Sequence, residues 1–301
     1  MTPFLRARRQ TYTPLFTPFS EGRVYLPEFE AAIDRQIIAG VDGIVVCDVL
    51  GEGPVLGSDE WQSLIKTAVS RGRPHLSIVA ATGTNCTAET VERCRRAEEL
   101  GADALLVTVP YYSKPTLKGV INHFREIAAA VGIPVLVDDD PGRTAKDYGP
   151  ALADALAEID LVVGICHGAG RLEHFAALPA SLRERFMHLS RDDRQLMEFL
   201  DMGGHGALSA LANIIPSPVQ TMVAMAERGR GCDSLLQAMS VASRSAGGDD
   251  VAALKEAQFF LHQSPADVRL PLVSAEPETI LRVRHAFAPF ARREPSTRRA
   301  A

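Results

Sequence analysis

The sequence predicts an α/β fold, a (β/α)8 TIM barrel with a C-terminal helical extension, on three observations. From Thr11 to Ala210, short β-branched apolar runs alternate with amphipathic helical patterns. Eight strand runs occur, and several are apolar on both faces, as in a parallel sheet covered by helices. After Asn213 the strand signals stop and only helical patterns follow.

The strand runs are T-Y-T-P-L-F-T (11–17), G-I-V-V-C-D (43–48), H-L-S-I-V-A-A-T (75–82) and D-A-L-L-V-T-V (103–109). They continue with I-P-V-L-V-D (133–138), D-L-V-V-G-I-C (160–166), R-F-M-H-L-S (185–190) and G-A-L-S-A-L (206–211). Between them the spacing predicts helices such as 27–39, 58–71, 87–100 and 117–131. The alternative, an open doubly wound sheet, would want a glycine-rich nucleotide turn after the first strand, where this chain reads T-P-F-S-E-G-R. Pro216 and Pro218 lie in the approach to the eighth barrel helix, and further helices are expected over 233–245, 249–263 and 275–290. The organisation read from this is a barrel over 1–228 and a helical extension over 229–301, suited to packing or assembly.

With 301 residues, 46% hydrophobic and 23% charged, the chain has the composition of a globular protein. No apolar run of ~18 residues suggests a membrane span. The basic start F-L-R-A-R-R-Q lacks the apolar core of a secretory signal, so a cytoplasmic location is expected. A net charge of -5 argues against a nucleic-acid partner. The basic ends, Arg6 to Arg9, Arg292-Arg293 and Arg298-Arg299, read as solvated tails. Cys47, Cys86, Cys94, Cys166 and Cys232 are odd in number and widely spaced, which predicts free thiols.

A barrel of this kind carries its chemistry at the C-terminal ends of its strands. Those ends are Thr17-Pro18, Cys47-Asp48, Thr82-Gly83, Pro110-Tyr111-Tyr112, Asp138-Asp139-Asp140, Cys166-His167, Ser190-Arg191 and Ser209.

Read in order, T-P-F (17–19), G-T-N-C-T (83–87), P-Y-Y-S-K-P (110–115), P-G-R-T (141–144), L-S-R-D-D (189–193) and G-G-H-G-A-L-S-A-L-A-N (203–213) resemble the dihydrodipicolinate synthase / N-acetylneuraminate lyase family of class I aldolases. Six stretches in register cover about three-quarters of the chain. The resemblance implies a dimer of tight dimers and a 2-keto acid, commonly pyruvate, held as a Schiff base on a strand-six lysine in a G-I-K pattern.

Here that pattern reads G-I-C-H, with Cys166 at the lysine's position. The proton-relaying tyrosine of the resemblance falls on Asp138, and its G-T-T-G-E carboxylate-binding turn reads D-V-L-G-E, with Asp48, Val49 and Leu50 substituted and Gly51 and Glu52 kept. An imine needs a neutral lysine amine. Lys66, Lys114, Lys118, Lys146 and Lys255 all lie outside the strand runs, with Lys114 and Lys146 nearest the mouth. Asp48 and Asp138 would add up to two negative charges to the pocket and repel a substrate carboxylate. The sequence therefore predicts a relative that has lost imine chemistry with pyruvate, needs no cofactor, and acts on or binds a small polar molecule. The alternatives are a non-catalytic binding or assembly module and a metal-assisted lyase.

The catalytic candidates are Asp138, Cys166 and Tyr112; the substrate-contacting set is Asp48, Val49, Leu50, Arg143, His167 and Leu208. Each has a plainer reading beside it. Cys166 can be a small buried apolar residue. It and His167, as strand neighbours, should point to opposite faces. The run Asp138-Asp139-Asp140 can be a solvated loop, or can hold Mg²⁺, Mn²⁺ or Zn²⁺ with Asp48 and a histidine. Arg143 can grip a second substrate or brace a loop. Tyr112 can cross a tight-dimer interface into a neighbouring pocket or pack against it. Asp192-Asp193 are expected to begin the helix after strand seven, and Thr87 to cap the helix after G-T-N-C.

Overall fold

The computed structural model describes residues 9–228 and 233–291. Eight parallel strands close into a barrel in sequence order: β1 (Gln10–Pro14), β2 (Gly43–Val46), β3 (Ser77–Ala81), β4 (Ala104–Thr108), β5 (Val135–Asp139), β6 (Val162–His167), β7 (Met187–Ser190) and β8 (Gly206–Leu208), the last pairing back to the first. A short hairpin, Phe19–Ser20 with Arg23–Val24, follows β1 and was not anticipated by periodicity. Most strands are shorter than their apolar runs, because residues such as Leu15, Phe16 and Val109 stay buried in the connecting loops rather than in the ladder.

Alternation along the strands divides the core in two. Tyr12, Val45, Val79, Leu106, Leu136, Cys166, Met187, Leu189 and Leu208 fill the barrel interior. Residues of the opposite parity, among them Ile44, Ile78, Leu105, Val137 and Ile165, pack outward against the helices. Helices Leu26–Ala39, Ser58–Gly72, Thr87–Glu99 and Leu117–Ala130 cover the first half of the barrel. Shorter helices, Pro150–Leu156, Leu172–Ala176, Ala180–Arg185 and Leu196–Asp201, cover the second half, and Pro216–Glu227 closes the ring.

Beyond the barrel, helices Asp233–Ser245, Val251–His262 and Pro277–Phe287 lie close to their expected bounds. The barrel–extension boundary at 228/229, Cys232, Arg6 to Arg8 and the basic residues from Arg292 onward lie outside the described residues. Cys47, Cys86, Cys94 and Cys166 are free thiols. Among the described residues, no helix is long and apolar enough to cross a membrane.

One buried ion pair ties the extension to the barrel. The Lys255 ammonium donates to Glu52 at 2.5 Å and to the carbonyls of Thr17 and Asp267, each at 2.8 Å. All three of its protons are thereby satisfied, which makes burial of the charge tolerable. The Phe19 ring lies 4.6 Å from the same nitrogen. The second oxygen of Glu52 accepts the Arg269 backbone N–H at 2.8 Å.

Candidate active site

A cavity of about 400 Å³ opens at the C-terminal mouth of the barrel, over the ends of β2 to β5. Loop geometry shapes it. Cys47 turns into the left-handed region directly after β2, at φ 63°, so that Asp48 and Val49 line the cavity. The backbone doubles back so tightly there that a Cβ on Gly53 would lie 1.9 Å from the Cys47 carbonyl oxygen, and only glycine fits. Tyr112, Lys114 and Ala145, in the loops after β4 and β5, also have positive φ. Strain of this kind collects where a loop is held for function.

Arg191 dominates the site's electrostatics. It leaves β7, and its guanidinium crosses the mouth to reach Asp48 of the β2 turn at 2.7 Å and Asp138 of β5 at 3.1 Å. The three side chains are only 5–7% exposed. Each acid gives one oxygen to Arg191, and no donor among the described residues bonds the other. Both acids line the cavity, whereas Arg191 stands behind them. Burial pushes the Asp138 carboxyl up to about 7, with Arg191 opposing and Asp48 adding to the rise. Its protonation therefore changes near neutral pH, as a general acid or base requires.

The expectation of an uncompensated acid pair is corrected in part: Arg191 neutralises one of the two charges, and one remains when both acids are ionised. The metal reading is corrected on the same ground. A guanidinium already bridges Asp48 and Asp138, no histidine reaches them, and no group of three metal-binding side chains occurs among the described residues.

The acid run splits three ways rather than forming one cluster. Asp138 faces the cavity; Asp139 turns outward to Arg171 at 3.4 Å; Asp140 accepts the Gly142 N–H at 3.0 Å and caps the turn that carries Arg143. Arg143 lines the cavity and pairs with Asp140 at 3.3 Å and with Asp249 of the extension.

Other predicted residues lie elsewhere. Cys166 is opposite Asp138 in the β5–β6 register but belongs to the barrel plug and does not line the cavity. Burial, with Asp138 adding, drives its thiol far above the usual range, so it is no thiolate. Leu208 is part of the same plug, and Leu50 packs into the outer core. Tyr112, expected to reach across a subunit interface, is 88% exposed and does not line its own cavity, while Tyr111 does.

His167 does point opposite to Cys166, outward between Phe175 and Phe199. Its Nε2 is 2.8 Å from Nδ1 of His188, whose Nε2 is 3.1 Å from the Leu182 carbonyl. That carbonyl can only accept, so His188 Nε2 donates to it and His188 Nδ1 accepts a hydrogen bond from His167 Nε2–H. His167 is a buried neutral group away from the main cavity, not a contact for its ligand.

Two capping expectations also change. The Thr87 hydroxyl meets His123 Nδ1 at 3.0 Å, and Cys86 precedes the helix. The helix after β7 begins only at Leu196; Asp193 instead accepts the Leu211 N–H at 3.0 Å.

Sequence reasoning noted Arg191 as a strand end without giving it a role. The strand-end rule places an arginine and two acids on the same face of the barrel, but not in contact with one another. Glu89 and Arg93, a helical i,i+4 pair 2.8 Å apart that also lines the cavity, were missed because they belong to the helix rather than to a strand end.

None of the five lysines lines the cavity. Lys66, Lys114, Lys118 and Lys146 are exposed, and Lys255 is enclosed in its ion pair.

Residues 7–284 match the sequence model of the dihydrodipicolinate synthetase family. A relative from Bdellovibrio bacteriovorus, a 4-hydroxy-tetrahydrodipicolinate synthase, is 38% identical over 207 residues, covering 69% of this chain and 71% of its own. One of the same name from Endomicrobium trichonymphae is 32% identical and covers 93% of this chain and 97% of its own. Among solved structures, a monomeric dihydrodipicolinate synthase variant superposes with a TM-score of 0.91 at 26% identity, over 95% of this chain and 98% of that one. The chloride-inhibited dihydrodipicolinate synthase from Acinetobacter baumannii, complexed with pyruvate, gives 0.87 at 29% identity, over 93% and 98%.

Proposed function

The chain belongs to the dihydrodipicolinate synthetase family, and we propose that it is a lyase-type member that has left imine chemistry. It takes a small polar molecule at the barrel mouth without forming a Schiff base. The observation that carries this reading is the placement of the lysines: no amine lines the cavity, and the end of β6 offers Cys166. A thiol adduct of a keto acid has no nitrogen cation to draw electrons, and this thiol is neither ionised nor in the cavity.

In this reading Asp138 holds and moves the proton. Burial keeps its proton affinity near neutrality, and Arg191 fixes its orientation from behind. Arg143, on the Asp140-capped turn, grips a polar end of the ligand. Asp48 and Val49 replace a carboxylate-binding turn with an acid and an apolar side chain. The extension braces the first two loops through Lys255 and Glu52. Exposed Tyr112 is free to enter a neighbouring subunit in a dimer or tetramer.

A second reading, a binding module without turnover, is favoured by one observation: Arg191 holds both acids in a closed ion triad. The two readings share the absence of imine chemistry. The test is deuterium exchange of the pyruvate methyl protons followed by NMR, since an imine allows enamine formation and washes deuterium in. No exchange above the protein-free rate is expected; catalysed exchange that saturates with pyruvate would overturn the proposal.

A further inference from the structure

We propose that the floor of the mouth cavity is a seat for an ammonium group, so that the ligand enters amine first, with its carboxylate or hydroxyls outward. This rests on the reading that the site forms no imine, and it adds the ligand's chemical class.

The argument begins with the unused acceptors. Asp48 and Asp138 are about 95% buried, line the cavity, and each have one oxygen on Arg191 and one without a protein donor. Neither free oxygen is among the fully buried polar atoms left without a partner, so both open onto the cavity, where an incoming donor can reach them. Arg191 does not line the cavity, so an incoming molecule meets the acid oxygens and not the guanidinium. Two carboxylates against one guanidinium leave the triad with one negative charge when both acids are ionised. Ala81, Leu106 and Val49, on the surrounding wall, are apolar, and the lining cation that acts on Asp138, Arg143, is itself paired with Asp140 and Asp249.

An ammonium supplies what is missing: one positive charge and three N–H donors in a compact group. A carboxylate at the same place would add a third negative charge and no donor. The cationic side chains that do line the cavity, Arg93 and Arg143, come from a helix and from the turn after β5 rather than from the floor. An anionic or hydroxylated end is therefore served there. A cavity of about 400 Å³ is in the small-ligand range, which suits an amino acid or an amino alcohol.

Binding is measured by ligand-observed NMR on the full chain, with matched skeletons that differ at one group. Alanine is compared with lactate and pyruvate, 3-aminopropanoate with 3-hydroxypropanoate, and ethanolamine with ethylene glycol. In at least one set the amine should bind ten-fold or more tightly than its oxygen partners, and D48N or D138N should weaken it at least ten-fold. Amines that bind no better than their partners, or that do not bind at 10 mM, overturn the proposal. That comparison needs only the unmodified protein, so a variant that fails to fold leaves the test intact. Pyruvate that binds as tightly as alanine, with no amine preferred in the other two sets and no borohydride-trapped adduct, overturns the ammonium seat alone; a trapped lysine adduct overturns the imine-free reading as well.

Discussion

Arg191 and Asp48 face each other across the barrel mouth at 2.7 Å, one at the end of β7 and the other just past β2. With Asp138 they form a buried triad that spans strands remote in sequence. Removing the guanidinium leaves two carboxylates buried and unpaired, which costs about 3–5 kcal/mol for a broken buried pair. R191M should lower the urea-unfolding free energy by that order, and adding D48N and D138N to it should recover part of the loss. An R191M protein as stable as the parent would contradict the role assigned to the triad.

The Asp138 carboxyl, raised by burial to about 7 from an ordinary value of 3.8, sets a sign for pH dependence. Between those values the folded chain binds a proton that the unfolded chain has lost, so this group's contribution to stability falls as pH rises. D138N removes that term. The stability of the variant relative to the parent should rise from pH 4 to pH 7, as read by urea titrations at each pH; a flat or falling difference would contradict it.

His188 works in the opposite direction. Burial lowers it to about 4, so between there and 6.5 the unfolded chain binds the extra proton and stability rises with pH. The contribution is full above 6.5 and is lost as pH falls through 4. H188N should flatten the acid limb of the stability curve, and an acid limb that stays equally steep would show that other groups set it.

Lys255 and Glu52 hold the extension to the loops of β1 and β2. K255M fills similar space but leaves Glu52 buried without its cation, and should cost about 3–5 kcal/mol in stability. It should also raise hydrogen exchange in both the 47–56 loop and the 251–262 helix. Exchange raised in the helix alone would argue against the coupling.

Much of the architecture was legible in the chain because each strand run carries its own period and its own turn residues. The opposite facing of Cys166 and His167 follows from strand alternation, and the structure shows it. The site was less legible because its key contacts join residues far apart in sequence. Nothing in L-S-R-D-D reveals that Arg191 reaches Asp138, 53 positions away, or Asp48, 143 positions away. Loops hid the rest: the left-handed turns at Cys47 and Tyr112 decide which neighbour faces the cavity, and periodicity does not extend into such turns. Thus Asp48 and Val49 line it while Leu50 does not, and Tyr111 lines it beside an exposed Tyr112.

The central claim is that no lysine of this chain forms an imine with a 2-keto acid. Its most direct measurement is borohydride reduction of the protein in saturating pyruvate, followed by intact-mass spectrometry and peptide mapping. The account predicts an unchanged mass, identical to a control without pyruvate. A stoichiometric reduced pyruvyl adduct mapped to Lys66, Lys114, Lys118, Lys146 or Lys255 would contradict it.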